Sequence, residues 1–175
     1  MEDQTAISRM KQGDPGGLEY LVRRYQVKAM QTAYLILQDR TTAEEIVQNA
    51  FLKCYEKIHQ FRDSEPFAPW LMRIVINDAV KMNQKQARIS SLDLDVEDQE
   101  RLLANWLIDP QPTPEEVVEA MEIEESLMKA IKILPAKQKA AVIMRYFLEM
   151  NENEMSDHME MPLSSIKWWL RTARK

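Results

Sequence analysis

The apolar residues of the N-terminal half recur every three or four positions, which is the period of an α-helix with one buried face. The pattern predicts a short first helix, a second helix of about 20 residues after a glycine-rich turn, and a third helix that carries an apolar stripe. Thr41 and Thr42 are predicted to cap the third helix, because hydroxyl oxygens accept hydrogen bonds from a first helical turn. Pro66 and Pro69 mark the start of a fourth helix, which should run to about Arg88.

The helical pattern fails in residues 89–113 and returns after them. This stretch is acidic and its prolines come close together at the end, which is typical of a linker. Beyond it, periodicity predicts further helices, the last two short and separated by Pro162. No segment alternates at period two, so no β-sheet is expected. The predicted fold is all-α, with two small helical domains at 1–88 and 114–175 joined by an acidic linker, the C-terminal domain ending in a helix-turn-helix.

Charge is distributed unevenly along the chain. The net charge of −5 is a sum over unlike parts: +2 for residues 1–88, −11 for residues 89–125 and +4 for residues 126–175. Otherwise the composition, 45% hydrophobic and 29% charged, is that of an ordinary globular protein of 175 residues. The two ends of the chain, rather than its centre, therefore suit contact with nucleic-acid phosphates.

The sequence offers no set of residues for catalysis or metal binding. Cys54 is the only cysteine, which excludes an internal disulfide framework and a cysteine-based metal site. His59 and His158 are 99 positions apart, so a histidine-based zinc site is not expected either. We therefore predict no enzyme activity, no metal and no cofactor. The absence of a signal peptide or a long apolar run predicts a cytoplasmic protein without membrane insertion.

The last predicted helix, about 163–175, has two distinct faces. Spacings of three and four direct one set of side chains inward: Ile166, Trp169, Leu170 and Ala173. Hydroxyl and basic side chains fall on the outer face, and the helix holds four basic residues and no acidic one. Such a helix suits the major groove of DNA. The alternative is that its Lys and Arg residues only complement the helix dipole.

Three motifs stand in the C-terminal half: Leu134-Pro135, Arg145-Tyr146-Phe147 and the run from Pro162 to Lys167. They resemble the promoter-reading domain of extracytoplasmic-function (ECF) sigma factors of RNA polymerase. Residues 43–61 resemble the family's polymerase-docking stretch, and residues 67–77 resemble its −10-reading helix. The resemblance covers nearly the whole chain. It implies a factor that binds core RNA polymerase and directs promoter-specific initiation, without catalytic chemistry of its own.

The resemblance implies a polymerase-binding surface on the third helix. Its members are Glu45, Gln48, Asn49 and Lys53. Phe51, on the same helix, is expected to belong to the apolar core.

The resemblance also implies that the N-terminal domain reads the −10 element as a single strand. Arg62, Asp63 and Ser64 match the loop that takes up a flipped base, and Asn77 matches an Asn that contacts DNA. By their spacing, a basic stripe for phosphates follows at Lys81, Lys85 and Arg88, with a merely solvated face as the alternative. Trp70 and Arg73 match a further family pair, of which Trp70 is expected to pack inside.

For the duplex −35 element, the resemblance implies contacts from the outer face of the last helix. Its candidate residues are Ser164, Ser165, Lys167, Trp168, Arg171 and Arg174. The sequence departs from the family at Glu160, where a glycine usually makes the helix-helix turn, and at Trp168-Trp169, where Ser-Arg is usual. A left-handed residue at Glu160 would cost about 1 kcal/mol relative to glycine. Lys175 falls inside the predicted last helix, whereas the family usually runs several residues further.

The remaining predictions concern the role of the acidic linker and the partners of the protein. In the family the inter-domain linker mimics nucleic acid in the polymerase channels; the alternative for this acidic stretch is a solubilising tether. The expected partners are core RNA polymerase, promoter DNA and an anti-sigma factor. Two rival functions stay open: a helix-turn-helix regulator that acts without polymerase, and an all-α protein-interaction module.

Overall fold

The computed structural model describes residues 2–90, 123 and 125–174, without the side chains of 88–90. Every regular element in those residues is helical. The N-terminal helices are α1 (Asp3–Lys11), α2 (Pro15–Leu37), α3 (Arg40–Glu56), a short 3-10 turn (Ile58–Gln60) and α4 (Phe67–Ser90). In the C-terminal part they are α5 (125–132), α6 (Ala136–Tyr146), α7 (Glu152–Met159) and α8 (Leu163–Ala173). The all-α prediction is confirmed, and α4 extends two residues past the predicted Arg88.

Aspartates set the starts of α2 and α3. The Asp14 carboxylate accepts a hydrogen bond from the Gly16 amide at 2.8 Å. Asp39 does the same for the Thr42 amide at 2.9 Å, which satisfies an amide that the first turn leaves free. The prediction that Thr41 and Thr42 cap α3 is therefore wrong. The helix begins earlier, because a carboxylate at Asp39 already supplies the acceptor that those hydroxyls would have provided.

The N-terminal domain is built around α2, which packs against α1, α3 and α4. Its fully buried side chains include Ile7, Leu21, Ile36 and Leu71, each at most 1% exposed. Helices α1 and α2 approach so closely at Gly17 that a Cβ there would lie 2.2 Å from the Ala6 carbonyl oxygen. This close packing fixes α1 against α2.

The C-terminal domain is a helix-turn-helix of α7 and α8 packed on α6. Met144, Met155 and Ile166 form its centre and are fully buried. Asn151 begins α7 with a reciprocal cap to Glu154, in which each residue's side chain accepts the other's backbone amide. Helix α6 also contacts α2 and α4, so one apolar core continues through both domains.

Candidate nucleic-acid and polymerase interface

One face of α3 is polar and open to solvent, and we call it the docking face. Glu45, Gln48 and Asn49 are exposed there, while Phe51 on the opposite side is 4% exposed, so its predicted place in the core is confirmed. Leu52 lies on the docking face with 54% of its surface exposed. It lies seven positions from Glu45, two helical turns along the same face, and that spacing was the signal that could have identified it.

Lys53, the fourth predicted polymerase contact, is tied to α4 instead of standing free on the docking face. Its ammonium lies 2.6 Å from the Asp78 carboxylate, whose side chain is only 18% exposed. A charge-assisted bond of this length holds α3 and α4 in register. The geometry favours a role for Lys53 in joining the two helices.

The Lys53–Asp78 pair lines a groove of about 340 Å³ between α3 and α4. The groove combines predicted docking and DNA-binding residues on an apolar floor, and its lining is Ile46, Asn49, Lys53, Asp78, Lys81, Met82 and Lys85. Because three lysines surround it against one carboxylate, the groove is a basic surface suited to phosphate. The groove therefore contains two of the predicted polymerase contacts and two of the predicted −10 contacts: Asn49 and Lys53, and Lys81 and Lys85.

The predicted base-reading loop, residues 62–66, precedes α4 and is exposed throughout. Helix α1 braces it: the Lys11 ammonium lies 2.7 Å from the Asp63 carboxylate and donates to the Phe61 carbonyl at 3.2 Å. The Gln4 amide adds a bond to the Asp63 carbonyl at 2.8 Å. Sequence reasoning missed this brace, because nothing in the local pattern of α1 points to a loop some 50 positions away.

An aromatic cluster lies beneath the same loop. The Phe61 ring centre is 5.0 Å from that of Trp70 and 6.1 Å from that of Phe67. Trp70 is half-buried and also meets Phe67 edge-on at 5.8 Å. The expectation that Trp70 packs inside is met in part, since its ring packs against the core but the residue is only half-buried. Together the brace and the cluster hold both ends of the loop in place.

Helix α4 carries a line of polar side chains at spacings of four. Asn77 is half-buried, and Lys81 and Lys85 are exposed, as a phosphate-binding stripe requires. The side chain of Arg88, predicted to extend the stripe, lies outside the described residues. Arg73 begins the line and is already engaged: its guanidinium donates to the Asp157 carbonyl at 3.0 Å and to the Glu160 carboxylate at 2.6 Å.

The two faces predicted for the last helix are observed in α8. On the inner face Ile166, Trp169 and Leu170 are at most 7% exposed, with the Lys137 ammonium 5.5 Å above the Trp169 ring. On the outer face Trp168 is 58% exposed. The remaining outer residues are Ser164, Lys167, Arg171 and Arg174, all exposed, and Ser165, half-buried.

Two of the outer basic residues have partners within the domain. Arg174 donates two hydrogen bonds to the Tyr146 hydroxyl, at 2.6 and 3.0 Å, and Lys167 lies 3.9 Å from the Glu152 carboxylate. Tyr146 ends α6 and is 59% exposed, so it belongs to the same surface as α8. Tyr146 was missed as a site residue because it lies 28 positions from Arg174.

Burial shifts the pKa of several side chains, among them Cys54, His158 and Lys139. Burial raises the pKa of the Cys54 thiol to about 12, which keeps it protonated and unreactive. Burial, together with the nearby positive charge of Arg73, lowers the pKa of His158 to about 4, although Glu154 opposes the shift. Burial also lowers the pKa of Lys139, with Lys132 adding to the effect.

Among the helices that the structure describes, none is both long and apolar enough to cross a bilayer.

Comparison with family models gives two matches in chain order. Residues 21–89 match Sigma-70 region 2, and residues 124–175 match Sigma-70, region 4. The first contains the docking face, the loop and α4, and the second contains the helix-turn-helix.

Curated relatives match over nearly the full length. The ECF RNA polymerase sigma-E factor of Haemophilus influenzae is 29% identical and aligns with 100% of this chain and 93% of its own. The ECF RNA polymerase sigma factor SigW of Bacillus subtilis is 26% identical, over 97% of this chain and 91% of its own.

Solved structures share the fold. CnrH in complex with the cytosolic domain of CnrY superposes with a TM-score of 0.65 at 16% identity, over 98% of this chain and 92% of that one. The sigma factor RpoE of Bartonella quintana, in complex with the anti-sigma factor NepR, gives a TM-score of 0.64 at 17% identity, over 89% of this chain and 91% of that one.

Proposed function

The chain belongs to the ECF family of RNA polymerase sigma factors, which direct promoter-specific initiation of transcription, and we propose that its two helical domains divide promoter reading between them. The N-terminal domain docks on core polymerase and reads the −10 element as a single strand. The C-terminal domain reads the −35 element as duplex. The observation that carries this division is that a docking face on α3 and an outward basic helix, α8, occur in one chain.

Docking rests on Glu45, Gln48, Asn49 and the exposed Leu52. A protein interface is centred on apolar anchors that exclude water, and polar residues at the rim fix its orientation. Leu52 supplies such an anchor with polar side chains around it. Lys53 contributes indirectly, by holding α3 against Asp78 of α4.

Reading of the −10 strand rests on the braced loop and the α4 stripe. A base leaves the stack most easily when it enters a preformed pocket, because the unstacking energy is then offset by fixed contacts. Arg62, Asp63 and Ser64 are exposed on a loop whose ends are held by Lys11 and the aromatic cluster. Lys81 and Lys85 then follow the phosphates of the same strand.

Reading of the −35 duplex rests on the outer face of α8. Side chains near the N-terminus of a recognition helix reach base edges, and those further along reach phosphates. Ser164, Ser165 and Trp168 are therefore the specificity residues, and Lys167 and Arg171 set affinity. Arg174 acts with Tyr146, since its guanidinium is bound to the tyrosine hydroxyl.

An anti-sigma factor is the second protein partner that we propose. Both structural neighbours were solved in complex with another protein, the cytosolic domain of CnrY for CnrH and the anti-sigma factor NepR for RpoE. The factor would act in the cytoplasm, where core polymerase and promoter DNA are available. Its role is recognition and positioning, and we propose no enzyme activity for it.

The test is co-purification with core polymerase followed by sequencing of the bound DNA. Glu45→Lys should weaken polymerase binding at least several-fold while leaving helicity unchanged, because it reverses an exposed charge on the docking face. Glu149→Lys makes the same change in net charge on the C-terminal domain and should bind polymerase as the wild type does. Undiminished binding by Glu45→Lys would refute the docking assignment.

A further inference from the structure

The turn between α7 and α8 is attached to the N-terminal domain by one arginine. Arg73 of α4 donates to the Glu160 carboxylate at 2.6 Å and to the Asp157 carbonyl at 3.0 Å. Both acceptors belong to the helix-turn-helix, 84 and 87 positions away. The pair therefore joins the helix proposed to read −10 to the motif proposed to read −35.

Glu160 occupies a backbone conformation that disfavours it. Its φ of 52° and ψ of 41° are left-handed, a region that glycine enters without a steric cost and a glutamate does not. Glycine would thus make the same turn with less strain. Glycine has no side chain, however, and the Glu160 carboxylate makes the contact with Arg73.

Other contacts favour the same closed arrangement of the domains. The Gln38 side-chain amide donates to the Met128 carbonyl at 3.1 Å, and α6 packs on α2 and α4. His158, two residues before Glu160, has a buried Nε2 atom, and the positive charge of Arg73 helps to lower its pKa. The Arg73–Glu160 pair lies at the exposed edge of this interface, with side chains 39% and 78% exposed.

We propose that the Arg73–Glu160 ion pair is a latch that biases the free chain toward a closed state, which has to open before both promoter elements are read. This rests on the proposed function. By their positions the −10 and −35 elements lie 25 base pairs apart, roughly 85 Å along B-DNA at 3.4 Å per step. In the closed state α4 and the helix-turn-helix are in contact, so the two reading surfaces cannot span that distance together.

The ion pair also keeps the Arg73 guanidinium from contributing to the proposed −10 surface. Asn77 and Lys81 follow Arg73 at spacings of four and so lie on the same side of α4. Opening frees the Arg73 guanidinium for a phosphate beside them. Since an exposed ion pair is weak, it shifts the balance between closed and open states by about two- to five-fold and does not lock the chain.

The test measures the distance between the domains in the full-length chain. Dyes on Gln60→Cys and Asn153→Cys, both exposed, report closure by energy transfer, and buried Cys54 labels slowly because its pKa is raised to about 12. Glu160→Gln should raise the ratio of open to closed chains about two- to five-fold. Arg73→Glu combined with Glu160→Arg should restore closure. Unchanged transfer in Glu160→Gln would overturn the latch.

Two further variants separate the latch from ordinary stabilisation. Glu149→Gln is the matched control, because Glu149 is also an exposed glutamate with a left-handed φ, 57°, in the same domain; its transfer should equal that of the wild type. Glu160→Gly removes both strain and charge, so it should open the chain without lowering its melting temperature. Opening accompanied by a lower melting temperature would mean that Glu160 serves folding and would overturn the latch.

A second arm adds core polymerase and a promoter fragment to the labelled wild-type chain. Low energy transfer in the complex is expected, and transfer as high as in the free chain would overturn the requirement for opening. If no complex forms, the proposed function fails, whereas the measurements on the free chain still decide the latch.

Discussion

The two proposed DNA-reading surfaces of this sigma factor are held in place by different means. The −10 loop is fixed by a distant part of the chain, through Lys11 and Gln4 of α1. Helix α8 is positioned within its own small domain, by Ile166 and Leu170 packed near α6 and α7. The −10 loop should therefore lose its position when a remote contact is removed, whereas α8 should lose its position when the core of its own domain is disrupted.

The largest expected effect comes from the core beneath α8. Ile166→Ala should destabilise the C-terminal domain by about 2–5 kcal/mol, because a fully buried side chain is cut back to a cavity. Chemical denaturation followed by circular dichroism measures it. Ser164→Ala, on the exposed face of the same helix, should stay within about 0.5 kcal/mol of the wild type. Equal losses in both variants would contradict the assignment of faces.

The outer face of α8 should separate specificity from affinity. Trp168→Ala should change the ranking of −35 sequences, by about 1–3 kcal/mol at one base pair. Arg171→Ala should weaken all sequences alike and flatten the salt dependence by about one unit of slope. Binding to a −35 library at several salt concentrations measures both. A reranking by Arg171→Ala, with none by Trp168→Ala, would reverse the two roles.

The remote brace of the −10 loop should matter less but remain measurable. Lys11→Ala removes the bonds to Asp63 and to the Phe61 carbonyl, and should weaken binding of a single-stranded −10 oligonucleotide about five-fold in the polymerase complex. Lys57→Ala, an exposed lysine at the end of α3, is the control and should bind as the wild type does. Equal weakening in both variants would show that binding of the oligonucleotide depends on net charge alone and that the brace does not contribute.

The smallest effect is a pH dependence from His158. Its pKa is about 4 in the folded chain and near 6.5 when unfolded. Between these values the unfolded chain binds a proton that the folded chain does not, so stability falls as the pH drops through this window. From pH 7 to 6 the loss should stay under about 1 kcal/mol. Denaturation curves at both pH values should show a smaller loss for His158→Gln; an equal loss would assign the dependence to the carboxylates.

Sequence periodicity predicted the local features of this fold well. The inner and outer faces of α8 and the buried Phe51 and Cys54 follow from spacing, whereas the left-handed turn at Glu160 was expected from the glycine that the family usually has there. One local prediction failed, the capping of α3. Asp39 caps α3 in place of Thr41 and Thr42, because its carboxylate, two residues before Thr41, already accepts a hydrogen bond from the Thr42 amide in the first turn.

Contacts between distant segments could not be predicted from the sequence. The Lys11–Asp63 brace, the Arg73–Glu160 pair and the Tyr146–Arg174 bond each join residues at least 28 positions apart. Their partners are exposed polar residues of ordinary type, and only the packing of the helices brings them together. This is why the −10 surface, which depends on such contacts, was less predictable than α8.

The central claim is that each domain reads its own promoter element. The most direct measurement is transcription by core polymerase with this factor from a library randomised at both elements, comparing the wild type with Trp168→Ala and with Ser64→Ala. Trp168→Ala should alter the enriched −35 sequences alone, and Ser64→Ala should alter the −10 sequences alone. Changes at the same element from both variants, or no dependence on the factor at all, would contradict it.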